Sequence, residues 1–295
     1  MPASVLALDL GGTKISAAVV APDGRILHRA KVPVDKTSVA ASLDQIAGLA
    51  RAVAATFPVE AAGLIVPGIY SPGTGRAWAP NLWGWEEIPL RDELAARLAF
   101  PVTLDSDRAG CVLGEQWLGA ARGCSDVVFV AIGTGIGAGI LSGGRLLRGA
   151  HDIAGAVGWF ALNPQPGEAD PHCGCWESHS AGPGLARRAG LATAEAVVEA
   201  ARRSDPRALA AVAEAASYTA MGLANLISLL NPEVIVLGGG LMQAADLFLD
   251  TLRAETRHWA QPIAITKVRI EVTELGEDAG LLGAAKLALD SRAFA

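Results

Sequence analysis

Three times in this chain a mainly apolar run ends in a glycine-rich turn. The runs are Leu6-Ala7-Leu8-Asp9-Leu10-Gly11-Gly12-Thr13-Lys14, Val128-Phe129-Val130-Ala131-Ile132-Gly133-Thr134-Gly135 and Val234-Ile235-Val236-Leu237-Gly238-Gly239-Gly240. A short apolar run bounded by glycine reads as a buried strand. Without Cβ atoms the backbone that follows can approach an anion closely and turn successive N–H groups inward. Thr13 and Thr134 add hydroxyl donors, and Asp9 and Lys14 supply opposite charges suited to hydrated Mg²⁺ and to phosphate. One such loop is as readily a plain tight turn; three, with Asp and Thr at their tips, predict a phosphate-binding framework in an α/β fold.

Other nucleotide sites fail the same test. A Walker A loop needs GxxxxGK[ST], which the chain lacks. Gly133-Thr134-Gly135-Ile136-Gly137 does not have the GxGxxG spacing, and a strand rather than a helix is expected after it, which argues against a dinucleotide fold. The first two loops turn strand into strand. The third opens a helix over Leu241–Glu255, whose N-terminus favours negative charge or a purine–ribose edge.

At 295 residues the chain exceeds one comfortable core, so two lobes are expected. Residues 1–118 form the first, with a terminal helix from residues 279–295 packed on it, and residues 119–278 the second. Strands are expected at Ser4–Leu8, Ile15–Val20, Ile26–Val34, Gly63–Val66 and Val102–Leu104. Helices are expected at Ser38–Ala55, Arg91–Leu98 and Gly110–Gly119, the last linking the lobes. The second half adds strands at Asp126–Ile132, Ala138–Leu141, Glu233–Leu237 and Ile270–Val272. Its helices are Ala194–Arg203, Arg207–Ala216 and Tyr218–Leu230, after a loop-rich stretch from Gly143 to Gly182.

Apolar residues make up 51% and charged residues 18%, as in a folded enzyme, and the net charge of −6 offers no footprint for nucleic acid or anionic lipid. The N-terminus lacks a basic leader, no run of 18 uncharged apolar residues occurs, and the four cysteines do not form a secreted framework. A cytoplasmic protein is expected.

The motifs together resemble the ROK family (repressors, open reading frames and kinases). The resemblance rests on Asp9-Leu10-Gly11-Gly12-Thr13-Lys14, Val66-Pro67-Gly68, Asn81-Leu82, Gly114-Glu115, Gly133 to Gly137, Asn231-Pro232-Glu233 through Gly240, and Asp278-Ala279-Gly280 through Ala284-Ala285. It implies the actin-like ATPase fold, with two ribonuclease-H-like lobes, mixed sheets and an interlobe cleft. It implies glucokinase-like transfer of a phosphoryl group from ATP, with Mg²⁺, to a hexose or amino sugar, and a homodimer. Family repressors carry an N-terminal helix-turn-helix; with the motif beginning at Asp9, none is expected here.

By the same resemblance the catalytic Asn-Asp pair falls on Ser106-Asp107, counting back from Gly114-Glu115. Asp107 is the expected general base, since a sugar hydroxyl must lose its proton as it attacks. Asp105 is a neighbouring competitor, though strand alternation points it away from Ser106. A second role for Asp107 is as the cap of the following helix. Gly68, Asn81, Ser106, Asp107 and Glu177 are the expected substrate contacts. Asp9, Gly11, Gly12, Thr13, Lys14, Gly133, Thr134 and Gly135 are expected at the phosphates, and Gly238, Gly239 and Gly240 beside the nucleoside.

Three departures stand out. Ser106 replaces the family's asparagine. The usual Gly-Glu-x-Gly-His reads Gly155-Ala156-Val157-Gly158-Trp159, so Ala156 and Trp159 replace partners for sugar hydroxyls. Trp83, Trp85 and Trp159 could stack on a sugar face or pack as ordinary core. The family's zinc element is shortened to His172-Cys173-Gly174-Cys175-Trp176-Glu177; His172, Cys173, Cys175 and His179 are spaced too tightly for a tetrahedral set, and no zinc is expected. Rival readings are a non-catalytic sugar or nucleotide sensor, and a kinase of a non-sugar acceptor such as a cyclitol.

Overall fold

The computed structural model describes residues 4–163 and 173–292. The chain divides into two compact units. Unit 1 comprises residues 1–123, 148–154 and 275–295, and unit 2 comprises residues 124–147 and 155–274.

Unit 1 opens with three antiparallel strands, β1 (Ser4–Leu10), β2 (Lys14–Val20) and β3 (Ile26–Pro33). Helix α1 (Val39–Ala54) follows. Ser38 caps it by accepting the Ala41 N–H, and Leu43, Ile46, Ala47, Ala50 and Val53 make its buried stripe. β4 (Val59–Val66) then lies parallel to β1. A small hairpin of β5 (Ile69–Ser71) and β6 (Arg76–Trp78) leads to the short helices α2 (Pro80–Trp83) and α3 (Leu90–Ala95). β7 (Val102–Ser106) pairs parallel to β4 and runs directly into α4 (Asp107–Leu118), so the sheet order is β3-β2-β1-β4-β7. α4 begins three residues before the expected Gly110 and lies wholly in unit 1.

Unit 2 repeats the plan. β8 (Val127–Ile132), β9 (Ile136–Ser142) and β10 (Arg145–Leu146) form an antiparallel meander. The stretch read as loop contains a 3₁₀ turn at Val157–Trp159 and α5 (Cys175–Ser180). Then come α6 (Gly182–Ala189), α7 (Ala194–Arg202) and α8 (Pro206–Leu230). The two helices expected over Arg207–Leu230 are one. β11 (Val234–Gly238) and β12 (Arg269–Val272) add in parallel to give β10-β9-β8-β11-β12. The third glycine loop does not open an α-helix. Gly240–Leu247 is 3₁₀ with a break at Ala244, and α9 (Leu249–Trp259) starts beyond it. The two sheets thus share one strand order, and the first two glycine loops are the same hairpin in each.

The last helix, α10 (Asp278–Arg292), returns to unit 1 and packs on β1, β4 and α4. Glycine makes that contact possible. A Cβ on Gly283 would stand 1.8 Å from the carbonyl oxygen of Gly110, and one on Gly63 1.8 Å from that of Ala284. One sheet face therefore packs Leu6, Leu8, Leu10 and Ile15 against α1, while Val5, Ala7, Ala18 and Val20 meet α10 through Leu281, Ala284 and Ala288.

Candidate active site

In unit 1 the register places Asp9 opposite Ser16, and Ser16 opposite Lys31, on the sheet face that carries α10. Gly280, in the first turn of α10, leaves room for Asp9; a Cβ there would be 3.2 Å from Asp9 Oδ2. Burial pushes the Asp9 carboxyl up to about 7 and the charge of Asp107 adds to this, while Lys14 and Lys31 pull it down. The hairpin turn is closed by Gly11 N–H donating to the Lys14 carbonyl at 2.9 Å. Thr13 lies exposed at its tip. Lys14 and Lys31 both donate to Glu277 Oε2, at 2.9 and 3.0 Å. Their hydrogen bonds hold Glu277 down at about 2.

Asp107 is the first residue of α4, and the cap is Ser106, whose Oγ accepts the Ala109 N–H at 3.3 Å. The capping role considered for Asp107 thus belongs to its neighbour. Burial raises the Asp107 carboxyl, opposed by the charge and N–H of Arg108. Arg108 Nη2 in turn donates to the Gly68 carbonyl at 3.2 Å. Gly68 has φ 93°, and a Cβ there would meet the Trp78 carbonyl oxygen at 2.2 Å, so only glycine fits. Asp105, the competitor, points into the protein and is taken up by Arg148.

In unit 2 the second and third glycine loops come together. A Cβ on Gly133 would lie 3.7 Å from the Gly240 nitrogen, and Gly239 (φ 88°) passes so close to Ile132 that a Cβ would be 2.5 Å from its carbonyl oxygen. Gly182 N–H donates to the Gly133 carbonyl at 2.8 Å, which fixes the start of α6 against the loop. Glu177 on α5 accepts the Ile136 N–H at 2.7 Å, and Gly135 and Gly158 leave the space for its carboxylate. Beside these loops opens a pocket of about 780 Å³, lined by Gly133, Thr134, Gly182, Thr193, Gly240 and Gln243 among others.

Other expected residues lie on other elements. Asn81 is exposed on α2, and its carbonyl accepts from Lys36 at 3.4 Å. Trp83 packs on the unit 1 core with Nε1 buried and no acceptor among the described residues. Trp85 is 80% exposed, its ring 5.5 Å from that of Trp78, and Trp159 is exposed in unit 2. His179 is buried, stacked on Tyr218 at 3.7 Å and in contact with Arg188. Cys173 and Cys175 flank the start of α5, while His172 lies outside the described residues. No group of three or more His, Cys, Asp or Glu side chains among the described residues is arranged to hold a metal ion. Sequence reasoning missed Arg148, Glu277 and the buried Glu115. Glu115 accepts the N–H groups of Ala120 and Leu275 at 2.8 and 3.3 Å and so anchors the approach to α10. Only Glu115 carried a signal, as part of Gly114-Glu115.

The ROK family model matches residues 5–291. The glucokinase of Halalkalibacterium halodurans is 32% identical over 307 aligned positions, which cover 94% of this chain and 92% of that protein. The ROK-family glucokinase of Streptomyces griseus, solved with glucose and AMPPNP, gives a TM-score of 0.83 at 31% identity, covering 97% of this chain and 99% of that one. The ROK hexokinase of Thermus thermophilus gives 0.85 at 32% identity, covering 99% and 100%. The mixed sheets are those of the actin-like ATPase fold of these ROK sugar kinases. The chain belongs to the ROK family.

Proposed function

We propose that this protein is an ATP-dependent sugar kinase of the glucokinase type, transferring the γ-phosphoryl group to a hydroxyl of a hexose or amino sugar. Asp107 accepts the proton of the attacking hydroxyl. The sugar oxygen bonds to the γ-phosphorus as the bond to the bridging oxygen breaks, and ADP leaves. Desolvation makes Asp107 a stronger base than an exposed aspartate, its Oδ1 accepts the Arg108 N–H at 2.8 Å, and the residues on either side are tied to Asp105 and to the Gly68 carbonyl. That half-buried carboxylate at the head of α4, held by the Arg108 N–H, is the observation that carries the reading.

The glycine turn Gly11–Gly12, with Thr13 and Lys14, and the loop Gly133–Gly135 hold the phosphates. The unit 2 pocket beside Gly238, Gly239 and Gly240 takes the nucleoside. Gly68, Asn81, Ser106 and Glu177 are the remaining sugar contacts. The residues fit Mg²⁺: Asp9 is a hard oxygen ligand whose ionised form is disfavoured first by burial and then by a second carboxylate, and Mg²⁺ needs only one or two carboxylates besides the phosphates. Asp9, with Asp107 nearby, would hold it, and the ion would neutralise charge developing on the phosphate oxygens. The same reading makes the protein a cytoplasmic homodimer; light scattering tests the dimer. Among the described residues no helix is long and apolar enough to cross a membrane.

The test is an ADP-release assay across hexoses, amino sugars and cyclitols, with Asp107→Asn as control. Turnover with a sugar, lost in the variant, is the expected result. Turnover confined to cyclitols changes the acceptor class, and silence throughout rejects the kinase in favour of a sensor.

A further inference from the structure

Asp105 stands one residue before Ser106 and two before Asp107, at the end of β7, with its side chain buried. A carboxylate removed from water needs a counter-charge and filled lone pairs. Both come from one direction. Arg148 Nη1 donates to Oδ1 at 2.8 Å and Nη2 to Oδ2 at 2.5 Å, a fork matched to two oxygens. Oδ1 also accepts the backbone N–H of Ser106 at 2.8 Å.

Arg148 is itself fixed. It heads the segment Arg148–Ala154, which belongs to unit 1 although unit 2 residues flank it in sequence. Ala154 N–H donates back to the Arg148 carbonyl at 3.0 Å, and the Ser71 hydroxyl donates to Asp152 at 2.7 Å. On the far side of Asp107, Arg108 reaches the Gly68 carbonyl at 3.2 Å. Asp107 therefore projects from a stretch of backbone held at both flanks, and one flank depends on a guanidinium more than forty positions away in sequence.

We propose that Arg148 is a positioning residue: through Asp105 and the Ser106 amide it fixes the backbone from which Asp107 projects. Its catalytic consequence rests on the kinase reading above. Without the guanidinium, the buried Asp105 carboxylate has lost its forked partner, so it turns away and the Ser106 N–H loses its acceptor. A displacement of about 1 Å in a reacting group costs on the order of 100-fold in rate. Lysine would restore the charge but not the two-pronged geometry.

The experiment uses the full-length protein with Arg148→Met, Arg148→Lys and the double variant Asp105→Asn/Arg148→Met. Hydrogen exchange is followed in the peptide spanning residues 102–112, and steady-state kinetics in the ADP-release assay. The expected result is faster exchange at the Ser106 and Ala109 amides in Arg148→Met. Its kcat should fall roughly 10- to 100-fold while KM for ATP stays within about twofold. Arg148→Lys should recover part of kcat, and the double variant should be no slower than Arg148→Met. Unchanged exchange in a folded Arg148→Met protein overturns the proposal. So does a loss that appears in KM, or one that merely tracks the unfolded fraction. If Arg148→Met does not fold, Arg148→Lys decides: wild-type exchange and kcat reject the proposal, and faster exchange with a reduced kcat at constant KM supports it. If the wild type turns over no sugar, the kinase reading fails by itself, and exchange alone decides whether Arg148 fixes this backbone.

Discussion

Glu177 accepts the Ile136 N–H at 2.7 Å, which ties helix α5 to the strand leaving the second glycine loop. A hydrogen bond to a charged acceptor is worth about 1.5–3 kcal/mol. Glu177→Ala should therefore loosen Gly133–Gly135 and raise KM for ATP about tenfold or more, with Glu177→Gln, whose amide oxygen still accepts, closer to wild type. Steady-state kinetics with ATP varied would check this; equal KM values in all three proteins would contradict it.

Asp107 must be ionised to accept a proton. Burial raises its proton affinity, so the acid limb of kcat should lie above the ordinary aspartate value of 3.8. Activity falls as pH is lowered through that limb. Asp107→Asn should lose the limb and retain about 10²- to 10⁴-fold less turnover. A kcat–pH profile of both proteins at saturating substrates measures it.

Asp9 gives the ligand-free protein a stability that depends on pH. Its folded value is about 7 against an ordinary 3.8, because burial and Asp107 disfavour the charge. The contribution is fully present below the unfolded value and is lost as pH rises through about 7. Asp9→Asn removes the titration, so its Tm should exceed that of wild type by at least ~2–4 °C at pH 8, the shift of about 1 kcal/mol in a large domain. The gap should shrink as pH falls towards 4. Calorimetry at several pH values, without nucleotide or Mg²⁺, checks both the sign and the trend.

Gly283→Ala should destabilise unit 1. The new methyl would lie 1.8 Å from the Gly110 carbonyl oxygen, a backbone atom that cannot swing aside. Helices α4 and α10 would have to separate, at about 1–3 kcal/mol. Denaturant unfolding measures the loss; Gly276→Ala is a poor control because Gly276 has φ 56°, whereas Gly48→Ala, with open space around it, should be neutral or stabilising.

The strands and their glycine turns were legible because each is a local pattern, an apolar run ending where Cβ atoms stop. Asp107 is marked as the candidate base only by the family resemblance, through its spacing from Gly114-Glu115. The start of α4 was missed because the cap is a serine that reads equally well as the end of β7. One helix was read as two because Ser217 and Tyr218 interrupt an alanine-rich stripe, yet Ser217 Oγ simply bonds the Ala213 carbonyl at 3.1 Å within the helix. The helix expected from Leu241 begins at Leu249, since Ala244 leaves helical geometry. Arg148 could not be found at all: a salt bridge over 43 positions leaves no periodic trace.

The dispersal of unit 1 over three stretches of sequence has a consequence for how the protein is made. On the ribosome, β1 and β4 emerge long before α10, so the sheet face bearing Val5, Ala7, Ala18 and Val20 stays uncovered while all of unit 2 is being synthesised. Unit 2 reaches the completion of its own sheet at β12, before the first-born strands receive their last layer. The N-terminal half of the nascent chain is thus the half most exposed to chaperones, and the last to close.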